Sequence, residues 1–122
     1  MLTIIVDGDN ALRALQLIRG PDLTLAEQFL QRLESAAAFK DWEVIAVFDG
    51  PSRFLLRSTG PLVVRYAPPG QTADTVIERM VYEAPDRAQV VVVTQDRAEA
   101  DLVLGLGAQV WSAARLAEEL IQ

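Results

Sequence analysis

Histidine and cysteine are both absent from this chain, and lysine occurs once, at Lys40. The missing cysteines exclude disulfide bonds, thiolate nucleophiles and iron–sulfur clusters. The missing histidines exclude a Ser-His-Asp triad, a histidine acid–base relay and Cys/His zinc sites. Any catalysis must therefore depend on carboxylates and on what they bind. Carboxylate, carbonyl and water oxygens favour Mg2+ or Mn2+ as the cofactor.

Long apolar runs are also missing. No run approaches the ~20 residues that span a membrane, and the amino terminus lacks the basic segment and cleavage site of a signal peptide. We therefore expect a cytoplasmic protein without a membrane partner. The 122 residues and a hydrophobic content of 51% predict one globular domain over residues 1–122. Neither a GxGxxG nor a Walker pattern occurs, so no nucleotide cofactor is expected.

Three apolar runs, rich in β-branched residues, are each followed by an aspartate. The runs with their aspartates are Thr3–Val6 with Asp7, Val44–Phe48 with Asp49, and Gln89–Val93 with Asp96. Such runs are typical of strands covered on both faces. The carboxyl ends of parallel strands meet at one edge of the sheet, where open α/β sheets bind ligands. We therefore expect these three aspartates at one edge.

Helical patterns alternate with these strands, and two further strands are expected at Leu62–Tyr66 and Ala108–Trp111. The expected helices cover residues 10–18 (capped by Asn10), 25–39 (capped by Asp22 or Thr24), 73–82, 97–104 and 113–121. This alternation predicts an α/β fold with three α/β/α layers and a parallel sheet of about five strands. The expected strand order is 3-2-1-4-5, with strand 3 at an edge and the ligand crevice between strands 1 and 4.

The helix that begins at Ala73 brings more carboxylates to the same edge. Asp74 lies in its first turn, and Glu78 follows four residues later on the same helix face. Two carboxylates ~5 Å apart repel each other by roughly 3 kcal/mol at an effective dielectric of ~20. A divalent cation removes this cost and supports phosphoryl transfer. Asn10 and Thr94 add neutral groups that could position a water molecule or a phosphate.

The net charge of -6 argues against a nucleic-acid partner, but the charge is unevenly distributed. The segment 50–73 contains no acid and carries Arg53, Arg57 and Arg65. We expect these arginines, together with Thr94, to hold the phosphates of single-stranded RNA. Phe54 or Tyr66 would offer a stacking surface. The alternative is an ordinary solvated loop.

Taken together, these segments resemble the YacP-like branch of the NYN domains, which are PIN-like, metal-dependent ribonucleases. The resemblance runs from residue 3 to about residue 120. It rests on Val6-Asp7-Gly8-Asp9-Asn10, Val47-Phe48-Asp49-Gly50, Thr72-Ala73-Asp74-Thr75-Val76-Ile77-Glu78-Arg79, Val93-Thr94-Gln95-Asp96-Arg97, and Gly107-Ala108 with Ser112-Ala113.

The resemblance implies a PIN-like fold, RNA as substrate, endonucleolytic cleavage, and Mg2+ or Mn2+ at clustered acids. Some members are associated with the ribosome and mRNA decay, so the ribosome is an implied partner. By motif position, Asp7, Asp74 and Asp96 would be the catalytic, metal-binding acids. Asn10 would join them in catalysis, Asp49 would be a neighbouring ligand, and Glu78 is a further candidate ligand.

The chain departs from the family pattern at several places. Asp9 replaces a tyrosine, which removes a ring that could stack on a base. Gln95 stands where the family usually has serine, and Ala100 where glutamine is common. Many relatives also continue into a further carboxyl-terminal helical segment. This last departure affects the expected docking to a partner or the ribosome more than the metal site.

Three alternative functions remain open on the sequence. Asp7-Gly8-Asp9 and Thr94 resemble motifs of haloacid-dehalogenase-type phosphatases. Three features argue against that class: Ala11 replaces the expected threonine or valine, no lysine follows Thr94, and a lid domain is missing. A response-regulator receiver domain fits the size, but Val110-Trp111-Ser112 stands where its lysine is needed. A PIN-like RNA- or ribosome-binding module that has lost cleavage would carry the same acids.

Overall fold

The computed structural model describes residues 1–14, 23–50 and 60–121. The strands are β1 (Thr3–Asp7), β2 (Glu43–Phe48), β3 (Leu62–Tyr66), β4 (Val90–Val93) and β5 (Gln109–Trp111). The helices are α1 (Gly8–Ala14), α2 (Leu23–Lys40), α3 (Ala73–Glu83), α4 (Arg97–Gly105) and α5 (Ala113–Ile121), and a 3-10 helix (Arg87–Gln89) precedes β4. Within the described ranges, every helix is too short or too polar to cross a lipid bilayer.

The five strands form one parallel sheet in the order β3-β2-β1-β4-β5. This confirms the predicted α/β class, the strand order and the edge position of β3. β1 lies in the centre, with Asp7 in register with Val47 of β2 and Val6 in register with Val93 of β4. Asp7 therefore ends the central strand at the carboxyl edge, where the order of strands reverses.

The side chains of each strand alternate between two apolar layers. Ile4 and Val6 belong to the layer built with α1, α2 and α5. Ile5 belongs to the opposite layer, built with α3 and α4. Successive residues of a strand point to opposite faces, so Asp7 lies on the same face as Ile5. The last side chain of β1 is therefore directed to the face covered by α3 and α4.

The passage from β1 into α1 differs from the sequence prediction. Helix α1 begins at Gly8, so Asn10 lies inside the helix and is not its cap. Gly8 packs directly against the Phe48 ring, and a Cβ at this position would overlap ring carbons. Because glycine has no side chain, the chain can turn from strand to helix without an intervening loop. The predicted end of this helix near residue 18 lies outside the described residues.

The other boundaries agree with prediction to within about two residues, which is the usual uncertainty of helix ends. Helix α3 begins as expected, with Thr72 Oγ1 accepting a hydrogen bond of 3.2 Å from Thr75 N. Val76, Ile77 and Val81 form its buried stripe. This stripe holds α3 against the β1–β2 region and brings its first turn to the carboxyl edge of the sheet.

Candidate metal centre

Three carboxylates from three elements meet at the carboxyl edge of the sheet. Asp7 ends β1, Asp74 lies in the first turn of α3, and Glu99 lies in the first turn of α4. Each offers a carboxylate oxygen within 4.8 Å of those of the other two. Asp7 is 6% exposed and Glu99 is 2% exposed, whereas Asp74 is half-buried. Two of the three acids are thus shielded from bulk water.

Burial and mutual repulsion perturb the two shielded acids. Burial raises the pKa of Asp7 to about 7, and the negative charge of Asp74 adds to this effect. Burial also raises the pKa of Glu99 to about 9, and the neighbouring carboxylates of Asp74 and Asp7 add to this effect. Without a compensating cation, the cluster retains protons near neutral pH.

The cluster fits a hard divalent cation. Glu99 Oε1 is buried and accepts no hydrogen bond in the described part of the molecule. The salt bridges found among the described residues both involve Glu119, so neither compensates the cluster. Three carboxylates at this spacing supply the oxygen ligands that Mg2+ and Mn2+ prefer. A bound cation would satisfy the orphaned oxygen and remove the repulsion.

The sequence predicts Asp96 as a metal ligand, whereas in the structure its carboxylate contacts the start of a helix. Asp96 is exposed and caps α4, with Oδ1 accepting a hydrogen bond of 3.0 Å from Glu99 N. Thr94 Oγ1 accepts from Asp96 N at 3.1 Å and donates to Glu99 Oε2 at 3.1 Å. Glu99, and not Asp96, therefore completes the three-carboxylate group. Thr94 is 4% exposed, with its hydroxyl committed to these two contacts.

The remaining predicted polar residues surround the group. Asn10 Oδ1 accepts a hydrogen bond of 2.8 Å from Gln95 N, which ties α1 to the end of β4. Asp49 Oδ1 accepts one of 2.8 Å from Ala73 N, at the start of α3. Glu78 is half-buried, one turn beyond Asp74, and is not a member of the group. Both Asn10 and Asp49 thus use an oxygen to hold backbone beside the cluster.

The predicted basic stretch is described only in part. Arg53, Phe54 and Arg57 lie outside the described residues. Arg65 is exposed on the edge strand β3. The Tyr66 ring is half-buried, with its centroid 5.9 Å from that of Phe48. The proposed RNA contacts of this stretch therefore stay predictions.

Comparison with known proteins identifies the family of this chain. The family model of the YacP-like NYN domain matches residues 4–122. The chain belongs to this family. Membership supports a nuclease fold over the phosphatase and receiver alternatives, and confirms the resemblance drawn from the sequence motifs.

Two solved structures of Rae1 (YacP) from Bacillus subtilis resemble this NYN domain. One matches with a TM-score of 0.84 at 24% identity, covering 99% of this chain and 74% of that one. The other, a point mutant, matches with a TM-score of 0.80 at 25% identity, covering 99% and 76%. No curated protein matches the chain. Nearly the whole chain therefore takes part in the structural likeness.

Glu99 is the residue of the NYN domain's acidic group that the sequence prediction missed. Asp96-Arg97-Ala98-Glu99 matches a capping-box pattern, in which the glutamate turns back to the cap residue's N–H. The helical spacing is a second signal, because it places Glu99 one turn before Val103, on the buried face of α4. A carboxylate in the apolar stripe of a short helix requires a polar partner, so its position in the stripe indicates that Glu99 belongs to a polar site.

Proposed function

We propose that this NYN domain is a metal-dependent endoribonuclease that cleaves single-stranded RNA, with Mg2+ or Mn2+ held by Asp7, Asp74 and Glu99. The observation that carries the proposal is the group of three carboxylates at the carboxyl edge, two of them buried. Family membership supports a nuclease fold. A structural role alone does not account for acids whose burial and proximity disfavour their charged forms.

The ligand residues would hold the ion from three separate elements. When bound, a divalent cation supplies charge that polarises a phosphodiester and acidifies a water molecule. Thr94 fixes the orientation of Glu99, because its hydroxyl holds Oε2 at 3.1 Å. Asp96 and Asp49 support the site by capping the helices that carry Glu99 and Asp74. Glu78 lies beyond this inner group.

Asn10 is positioned to serve the substrate. Its Oδ1 is occupied by Gln95 N at 2.8 Å, which leaves the amide NH2 group as the part of the side chain with no partner among the described residues. An amide NH2 has two donors. Asn10 lies in the first turn of α1, where its backbone N–H donates to Asp7 Oδ1 at 3.5 Å, so we expect these amide donors beside the cluster. We assign them to a non-bridging phosphate oxygen of the RNA.

The RNA would approach the cluster from the side of β3. Arg65 is in register with Val47, and Val47 is in register with Asp7. Residues in register point to the same face, and two strand spacings are about 10 Å. Arg65 therefore lies about 10 Å from Asp7 on the same face of the sheet. We propose that Arg65, with Arg53 and Arg57, holds the phosphates of the strand that enters the cleft.

A net charge of -6 leaves little general attraction for RNA. Binding through a few arginines should be weak and loosely sequence-specific. We therefore propose that a partner such as the ribosome presents the RNA to the cleft. In this view the domain supplies the chemistry, and the partner supplies most of the affinity.

The decisive experiment is a cleavage assay on end-labelled single-stranded RNA, with and without Mn2+. The parent should produce internal cuts that require the ion. Asp74→Asn and Glu99→Gln should lose ~100-fold or more in rate, because each removes a ligand charge. Glu118→Gln, an exposed acid on α5, is the matched control and should keep the parent's rate. RNA binding without cleavage under any metal would identify a binding module instead.

A further inference from the structure

Two carboxylates outside the metal group form a chain of hydrogen bonds that ends next to Asp74. Asp9 Oδ2 accepts a hydrogen bond of 2.9 Å from Asp49 N. Asp49 Oδ1 in turn accepts one of 2.8 Å from Ala73 N. Ala73 immediately precedes Asp74. The first turn of α1, the end of β2 and the first turn of α3 are thus joined by two bonds in series.

Asp49 accepts its hydrogen bond from the N–H of Ala73, which has no other partner among the described residues. The first N–H groups of a helix have no acceptor within the helix. Thr72 satisfies Thr75 N from within the same segment. Ala73 is 2% exposed, so its N–H would be poorly hydrated without Asp49. A buried unpaired donor is costly, and this cost keeps the start of α3 at Asp49.

The hydrogen bond between Ala73 N and Asp49 Oδ1 also fixes the position of Asp74 relative to Asp7, and both are proposed metal ligands. Asp7 is in register with Val47, and Asp49 follows Val47 by two residues. Asp49 therefore sets where α3 begins relative to β2, the strand that pairs with Asp7. Asp9 holds the Asp49 backbone from α1, which itself continues directly from Asp7. The chain of bonds therefore runs from the residues just after β1, through Asp49 at the end of β2, to the first residue of α3.

We propose that Asp9 and Asp49 are positioning residues that place Asp74 against Asp7 and Glu99, and that they act as hydrogen-bond acceptors and not as metal ligands. The inference rests on the proposed function for its metal readout. It assigns a role to Asp9, which stands where the family motif has tyrosine. It also predicts that oxygen acceptors, and not negative charges, are needed at positions 9 and 49.

The acceptor can be separated from the charge by substitution. Asparagine keeps a carbonyl oxygen and loses the charge, whereas alanine loses both. Mn2+ affinity is measured by calorimetry for Asp49→Asn, Asp49→Ala, Asp9→Asn and Asp9→Ala, well below each melting temperature. The alanine variants should bind Mn2+ ~10-fold or more weakly, as is usual for residues that orient ligands. The asparagine variants should bind like the parent.

A matched control separates positioning from loss of a cap. Asp86 Oδ1 accepts a hydrogen bond of 3.2 Å from Ala88 N at the opposite end of the sheet. Asp86→Ala should lower the melting temperature and leave Mn2+ affinity unchanged. Equal weakening by asparagine and alanine at position 49 would overturn the inference, because the charge would then be acting. Unchanged Mn2+ affinity in Asp49→Ala would overturn it as well.

A metal-free measurement keeps the inference testable if the parent binds no Mn2+, which would refute the proposed function alone. Amide hydrogen exchange at Ala73 should be ~10-fold or more faster in Asp49→Ala, because an unpaired N–H at a helix start opens readily. A crystal structure of that variant should show Asp74 displaced from Asp7. Parent-like exchange at Ala73, or an unmoved Asp74, would overturn the inference without any reference to metal.

Discussion

Thr94 donates a hydrogen bond of 3.1 Å to Glu99, and both side chains are almost completely buried. The bond connects the residue after β4 to the first turn of α4. It occupies Glu99 Oε2, while Oε1 has no partner among the described residues. A single hydroxyl thus determines how the glutamate is presented to Asp7 and Asp74. This contact distinguishes the observed acidic group from the one that the motifs predicted.

Removal of the Thr94 hydroxyl should weaken metal binding without removing a ligand. In Thr94→Val the side chain keeps its size but can no longer orient Glu99. We expect Mn2+ affinity to fall by ~10-fold, the lower end of the range for residues that support a metal ligand. Thr94→Ser keeps the hydroxyl and should bind like the parent. Titration calorimetry decides the matter, and a valine variant with parental affinity would contradict the orienting role.

The buried, acidic side chain of Glu99 should destabilise the metal-free protein at pH 8. Because the pKa of Glu99 is raised to about 9, the folded protein at pH 8 must hold a proton that the unfolded chain has lost. Glu99→Gln keeps the shape without this cost, so the melting temperature without metal should rise at pH 8. A gain of about 1 kcal/mol corresponds to about 3–6 °C for a domain of this size. The same variant should lose the stabilisation that millimolar Mn2+ gives the parent by mass action. Thermal melts of parent and variant, with and without Mn2+, test both statements.

For the Glu99→Gln melts, Glu118→Gln is the matched control, because Glu118 is an exposed acid on α5. It should melt like the parent in both conditions. A Glu99→Gln protein that is less stable than the parent at pH 8 would show that Glu99 does not destabilise the metal-free protein. A Glu99→Gln protein that is still stabilised by Mn2+ would show that the ion binds elsewhere.

Metal-free stability should fall as the pH rises. The pKa of Asp7 is raised from 3.8 to about 7, and that of Glu99 from 4.5 to about 9. Between the ordinary and raised values the folded state binds more protons than the unfolded state, so unfolding becomes easier as pH increases. The melting temperature should therefore decline from about pH 5 to about pH 9, and saturating Mn2+ should reduce the decline.

A variant can assign this pH dependence to the cluster. Asp7→Asn removes one of the two titrating acids, and the remaining repulsion on Glu99 also falls. Its melting temperature should depend less on pH over the same interval than that of the parent. A parent whose melting temperature is flat, or rises, from pH 5 to 9 would mean that the two acids are ionised without cost in the folded state.

Most of the fold could be predicted because its determinants are local. The β-branched runs at β1, β2 and β4 are short, continuous and apolar, and each is buried in the sheet. The helices between them have clear apolar stripes, and right-handed crossovers leave few strand orders. The start of α1 was mispredicted, because it depends on a contact between Gly8 and Phe48 that no local pattern reveals.

The acidic group was predicted only in part, and the reason is equally physical. Asp7 and Asp74 occupy a strand end and a first helical turn, where position alone fixes the direction of the carboxylate. Asp96 and Glu99 share one helix start, and either could cap it. The hydroxyl of Thr94 accepts from Asp96 N and holds Glu99, which leaves Asp96 as the cap. This choice depends on tertiary contacts and not on spacing.

RNA affinity should depend on Arg65 while metal affinity does not. Arg65 is exposed and in register, through Val47, with Asp7, so it can hold a phosphate beside the cleft without touching the ion. Two or three arginine–phosphate contacts predict a salt slope of about -1.5 to -2 for single-stranded RNA. Removing one contact in Arg65→Ala should make the slope shallower by about 0.7 and weaken binding at low salt.

Fluorescence anisotropy with a labelled single-stranded RNA, over a series of salt concentrations, measures this slope directly. Arg115→Ala is a suitable control, because Arg115 packs over the Trp111 ring and pairs with Glu119. It should leave the salt slope unchanged. Mn2+ affinity should be parental in both variants, since neither arginine contacts the acidic group. If Arg65→Ala binds RNA as well as the parent at every salt concentration, the RNA enters the cleft elsewhere. The argument that places RNA on the β3 side of the sheet would then be wrong.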